Sequence, residues 1–71
     1  MKSSIRIART ACETARARQA VVVLFDGAGN FAVSSYGETK AECADVRPLC
    51  DEIAIRLTSG QLPAPTPRGG R

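Results

Sequence analysis

The stretch Gly27-Ala28-Gly29-Asn30 sits between two runs of strand-forming residues, Ala20-Val21-Val22-Val23-Leu24-Phe25 and Phe31-Ala32-Val33-Ser34-Ser35-Tyr36. Glycine and asparagine tolerate the backbone angles of a tight reversal, while β-branched and aromatic residues suit a pleated, half-buried surface. Together they predict a β-hairpin. The first run is apolar at every position, so both of its faces need cover. The second alternates better, with Ser34 and Ser35 marking a more exposed edge. Two registers fit the turn. A four-residue loop groups Val22, Leu24, Phe31 and Val33 on one face. A three-residue loop groups Val21, Val23, Phe25, Phe31 and Val33, and a slip of one residue reverses the inward set.

Helical patterns flank the hairpin. From about Ser4 to Gln19 the chain is rich in alanine and arginine, both strong helix formers. Ile5, Ala8, Cys12 and Ala15 recur at helical spacing, a thin stripe of mostly small side chains. Thr10 and Glu13 also match a capping box, which allows an extended Ser4 to Arg9 before a shorter helix; one helix is the expectation. After Gly37, Thr39-Lys40-Ala41-Glu42 is a second capping-box match. Cys43, Val46, Cys50, Ile53 and Leu57 follow at alternating steps of three and four, with Leu49 and Ala54 beside them, one helix face running to about Thr58. Gly60 is a natural stop. Pro48 interrupts the pattern, but the stripe keeps phase across it, so a kinked helix is expected rather than two. Residues 61–71 alternate prolines and then glycines and predict a disordered tail. The expected fold is therefore a small α+β domain of helix, β-hairpin and helix (αββα) over residues 1–60, followed by a flexible tail.

A chain of 71 residues buries only about 60% of its unfolded surface, so a fold of this size needs reinforcement. Cysteine does not supply it. Cys12, Cys43 and Cys50 make an odd set, no secretory segment precedes them, and there is no histidine; reduced thiols in a cytoplasmic setting are expected. Zinc prefers four N or S ligands, and three thiols without an imidazole fall short. A two-stranded hairpin is marginal alone. Pairing of its edges with a second copy would give four strands, so a homodimer is expected. The longest apolar run is far below the roughly 20 residues of a membrane helix, and no membrane association is expected. Arginine-heavy, alanine-rich usage points to a bacterial or phage source.

Charge is segregated. The formal net charge is +3, yet Lys2, Arg6, Arg9, Arg16 and Arg18 cluster in the first segment against Glu13 alone. The second helical segment carries Glu42, Asp45, Asp51 and Glu52. Arg6, Arg9 and Arg16, with Arg68 and Arg71 of the tail, are the candidate nucleic-acid contacts, since each can neutralise a phosphate. Arg18 is rotated away from that group, and no aromatic residue is interleaved for base stacking. The competing reading is attraction between helices or simple solvation, and it is the stronger.

The remaining motifs fail on context. Gly27-Ala28-Gly29-Asn30-Phe31-Ala32 reads G-x-G-x-x-A, but a strand follows where a dinucleotide site needs a helix. Cys43 and Cys50 lie two turns apart, about 10 Å, too far to bridge within one helix. They read as buried thiols, and Cys12 could meet either of them across a core. With no histidine, acid–base work would fall to carboxylates on a solvated helix face, and none sits among apolar neighbours that would raise its pKa. Cys12, in the basic segment, is the only candidate nucleophile. No catalytic residue, cofactor or metal site is expected. The expected role is a non-enzymatic protein-interaction or regulatory accessory protein with an unidentified protein partner; nucleic-acid binding through the basic first helix is the alternative.

Overall fold

A computed structural model describes residues 4–66 and contains four elements, α1 (Ser4–Ala15), β1 (Gln19–Phe25), β2 (Phe31–Gly37) and α2 (Lys40–Ser59). The αββα order is the expected one. β1 and β2 pair antiparallel, with Phe25 opposite Phe31, Val23 opposite Val33 and Gln19 opposite Gly37. The Asp26 N–H donates to the Asn30 carbonyl at 3.2 Å, leaving a three-residue loop, Gly27 to Gly29. Val21, Val23, Phe25, Phe31 and Val33 therefore share one face, and Ala20, Val22, Leu24, Ala32, Ser34 and Tyr36 share the other.

The turn is held by Asp26. One carboxylate oxygen accepts from the Ala28 and Asn30 N–H groups at 2.7 and 3.1 Å, and the other from the Asn30 side-chain amide at 2.8 Å. Gly27 and Gly29 both adopt positive φ, where a side chain is strained. The Asn30 side chain and the loop amides hold the Asp26 carboxyl below its ordinary range.

The two helices lie on opposite faces of the hairpin. Ser4 at the start of α1 hydrogen-bonds Ser34, on the Val22 face. Gln19, on the Val21 face, donates its side-chain amide to the Glu42 carbonyl at 2.9 Å and to Asp45 Oδ2 at 3.1 Å. Gly37 shares that face, and a Cβ there would collide with the Cys43 backbone. No Cα of α1 comes within 8 Å of one in α2. The result is a three-layer stack, helix, two-stranded sheet, helix. It answers the need of β1 for cover on both sides, and it corrects one expectation: the sheet separates Cys12 from Cys43 and Cys50, so these thiols do not meet. All three are free.

Helix boundaries follow their caps. α1 ends at Ala15, four residues earlier than composition suggests. Arg16 takes the left-handed conformation at φ 56°, its N–H donates to the Glu13 carbonyl at 3.1 Å, and the Ala17 N–H to the Cys12 carbonyl at 2.9 Å. That pair of bonds is a Schellman termination, usually built on glycine. Thr10 lies inside α1 rather than capping it, and Glu13 instead accepts from Arg9 at 3.2 Å. Thr39 does cap α2. Its hydroxyl oxygen accepts the Glu42 N–H at 3.1 Å. Gly60 closes the helix at φ 81°. α2 is continuous through Pro48. The carbonyl that Pro48 cannot satisfy, that of Ala44, belongs to an exposed residue open to water.

The buried apolar side chains are few and small: Ala8 and Cys12 from α1, Val46 and Cys50 from α2. Every residue of β1 from Gln19 to Leu24 is only half-buried. After Gly60 the described chain has no regular element, and Ala64, Pro65 and Thr66 line a small cleft with Phe25 and Phe31. The expected disorder of the tail end falls on residues 67–71, which lie outside the described residues.

Candidate functional site

Arg6 and Arg9 project from the exposed side of α1, and Arg16 lies just past its end. Arg9 is committed to Glu13, one turn on. Arg6 and Arg16 form no ion pair among the described residues. Arg68 and Arg71 lie outside the described residues. Of the described arginines, Arg16 lines a cleft together with Tyr36, which is half-buried in the sheet.

The cation with the most structural work is Arg18, which charge clustering alone passed over. It leaves the α1–β1 link and clasps Glu42 in a two-pronged contact, Nε to Oε2 at 2.6 Å and Nη2 to Oε1 at 2.9 Å. Glu38 lies 3.8 Å from its other nitrogen. Glu42 also takes a hydrogen bond from the Thr39 hydroxyl at 3.0 Å. The guanidinium, more than any other group, holds the Glu42 carboxyl below its ordinary range, and Glu42 in turn raises Arg18. Attraction between basic and acidic segments is thus realised, but between the link and the first turn of α2 rather than between two helices.

A cleft of about 400 Å³ opens beside this clasp, lined by Cys12, Glu13, Arg16, Arg18, Tyr36 and Glu38. The Cys12 thiol, only 2% exposed, donates to the Ala17 carbonyl at 3.1 Å and has no base beside it. Among the described residues no three metal-ligating side chains converge.

The outward side of α2 has a different character. Ala44, Pro48 and Ile55 follow at steps of four and seven, so they share one stripe, on the side away from Val46 and Cys50. All three are exposed, Ile55 to 62%. Lys40, Arg47 and Asp51 border a shallow groove of about 510 Å³ over Ala44 and Pro48, and a second hollow surrounds Ile55 with Ala54, Thr58 and Ser59. α2 therefore has an apolar stripe on both sides, and the sequence reading found only the inward one. The signal was present in the spacing of Ala44, Pro48 and Ile55.

No protein-family model, no curated protein and no solved structure matches this chain. No helix among the described residues is long and apolar enough to cross a membrane.

Proposed function

We propose that this chain is a small non-enzymatic protein-interaction module, a bacterial or phage accessory protein that acts by docking on a larger partner. The observation that carries the reading is the outward stripe of α2, Ala44, Pro48 and Ile55, flanked by Lys40, Arg47 and Asp51. Ala44 and Pro48 make one apolar patch, Asp51 and Glu52 occupy the next turn, and Ile55 makes a second patch; apolar residues set among charges on one helix side have the composition of a recognition surface. Pro48 adds to it, because an interior proline costs the helix stability and leaves a carbonyl free for an external donor. Nucleic-acid binding through Arg6, Arg9 and Arg16 has less support, since Arg9 is paired and the three do not form one stripe.

A photo-crosslinking residue at Ile55, used in lysate of the source cells, tests the reading. One protein captured at that position, absent when the probe sits at Arg6 and lost on adding Ala44→Glu, supports it. Equal capture from both positions, or none, counts against it. An amide NMR titration with mixed-sequence DNA and RNA runs beside it: salt-sensitive shifts confined to residues 4–16 would move the conclusion to nucleic acid.

A further inference from the structure

The two edges of the hairpin are not alike. The Glu38 N–H donates to the Arg18 carbonyl at 2.9 Å, which fixes the phase of the ladder. Even-numbered residues turn their backbone groups inward, while Gln19, Val21, Val23 and Phe25 on β1, and Phe31, Val33 and Ser35 on β2, turn theirs outward. Beside the β2 edge runs a cleft of about 360 Å³ that both helices line, with Ile5 from α1 and Cys43, Cys50, Arg47 and Asp51 from α2. The β1 strand itself is uncharged, and the flank of α2 beside it carries Asp45, Glu52 and Arg56 around Leu49. No charge falls between Arg18 and Asp26. The bonds from Gln19 to Glu42 and Asp45 place that flank of α2 over β1, and Leu49, one turn beyond Asp45, continues it at 54% exposure. On α1, Ile7 lies two residues from Ile5 and so falls on the opposite flank, toward β1.

We propose that β1 pairs with β1 of a second copy, antiparallel about a two-fold axis at Val22, giving a continuous four-stranded sheet. Val21 then lies opposite the partner subunit's Val23, and Gln19 opposite the partner subunit's Phe25. In this register the outward N–H and C=O groups of both chains meet. Three observations select a second copy as the occupant. Among the described residues the buried apolar set is four small side chains, so further burial must be present whenever the chain is folded, and its own copy always is. The described part of α1 begins level with Val22, through the Ser4–Ser34 bond; the two-fold axis sets the partner subunit's α1 beside the half of the sheet that holds Leu24 and Ala32, both half-buried. Helix and strand rises of about 1.5 and 3.3 Å per residue place Leu49 near the axis and Arg56 near Phe25 when Asp45 is level with Gln19. Arg56 holds Glu52 of its own chain at 2.8 Å, and the rotation sets that pair beside the partner subunit's Asp45, so that each Arg56 bridges two carboxylates at its end of the interface. This surface is separate from the outward stripe of α2.

Sedimentation equilibrium combined with amide hydrogen exchange tests the proposal. The expected mass is two chains at micromolar concentration, with the Val21 and Val23 amides protected and those of Val33 and Ser35 exchanging fast. Val23→Pro removes an outward donor without touching the β1–β2 ladder and is expected to weaken the dimer about tenfold or more; Val33→Pro, on the other edge, leaves it intact. Asp45→Arg alone weakens the dimer, and adding Arg56→Asp restores it, a rescue that a fold defect would not give. A mass of one chain at about 200 micromolar, which corresponds to less than about 5 kcal/mol of association, overturns the proposal. So does a dimer whose protected outward amides are those of β2.

Discussion

Gly37, the last residue of β2, lies directly against the backbone of Cys43 in the first turn of α2, with no room for a side chain between them. Its φ is not among the positive values of the chain, so glycine is required here for space rather than for backbone freedom. The obstruction is backbone, which cannot swing aside. Gly37→Ala is expected to cost about 3 kcal/mol by forcing α2 off the sheet, read by urea denaturation. Gly60→Ala, where a Cβ meets open space but φ is 81°, should cost only about 1 kcal/mol. Equal losses at the two sites would refute the distinction.

Arg16 occupies a left-handed position at the end of α1 that ordinarily goes to glycine. Arg16→Gly is expected to raise stability by about 1 kcal/mol, the strain relief outweighing the added freedom of the unfolded chain. Thermal denaturation followed by circular dichroism reads it, and a lowered midpoint would show that the arginine side chain does more than end a helix.

Pro48 separates stability from recognition. Pro48→Ala restores a helix hydrogen bond worth up to about 3 kcal/mol against about 1 kcal/mol lost through a freer unfolded chain. A net gain of about 2 kcal/mol is expected. If the outward stripe of α2 is the docking surface, the same substitution weakens crosslinking at Ile55. A variant that is both more stable and fully competent to bind would take Pro48 out of the recognition surface.

Acid should loosen the hairpin turn and the start of α2 together. Asp26 and Glu42 both have carboxyls lowered in the folded state, by Asn30 and the loop amides in one case and chiefly by Arg18 in the other. A lowered folded pKa adds stability that is present above the ordinary values of 3.8 and 4.5 and is lost as pH falls through the lowered ones. The melting temperature should therefore hold steady from neutral pH to about 5 and then drop. Asp26→Asn and Glu42→Gln should each flatten the drop. Glu42 is half-buried but its partner Arg18 is open to water, so salt should weaken the Arg18–Glu42 part of the effect; a pH profile unchanged in the double variant would exclude these carboxyls as its source.

Features carried by local chemistry were legible in the sequence. Thr39 and Glu42 announced a helix start, Gly60 its end, and Gly27 to Asn30 a reversal, because each acts through backbone bonds within a few residues. The end of α1 was not legible, since Arg16 performs a glycine's task without being one. Register was open because the turn residues suit two loop lengths, and only the Asp26–Asn30 pairing decides between them. The pairing of Arg18 was not legible because its partner Glu42 is 24 residues away, beyond the reach of any helical spacing. The placement of α1 and α2 on opposite faces is a tertiary fact that the apolar run of β1 required but did not by itself assign.

With the hairpin between them, α1 and α2 share no surface of their own. Neither helix can hold the other in place once the strands part, so the chain has no helical pair to fall back on as a partly folded refuge. A disturbance at one helix reaches the other through the strands or through the Arg18–Glu42 clasp that ties the end of α1 to the start of α2. The two seven-residue strands act as an insulating sheet when closed and as the single point of failure when they open.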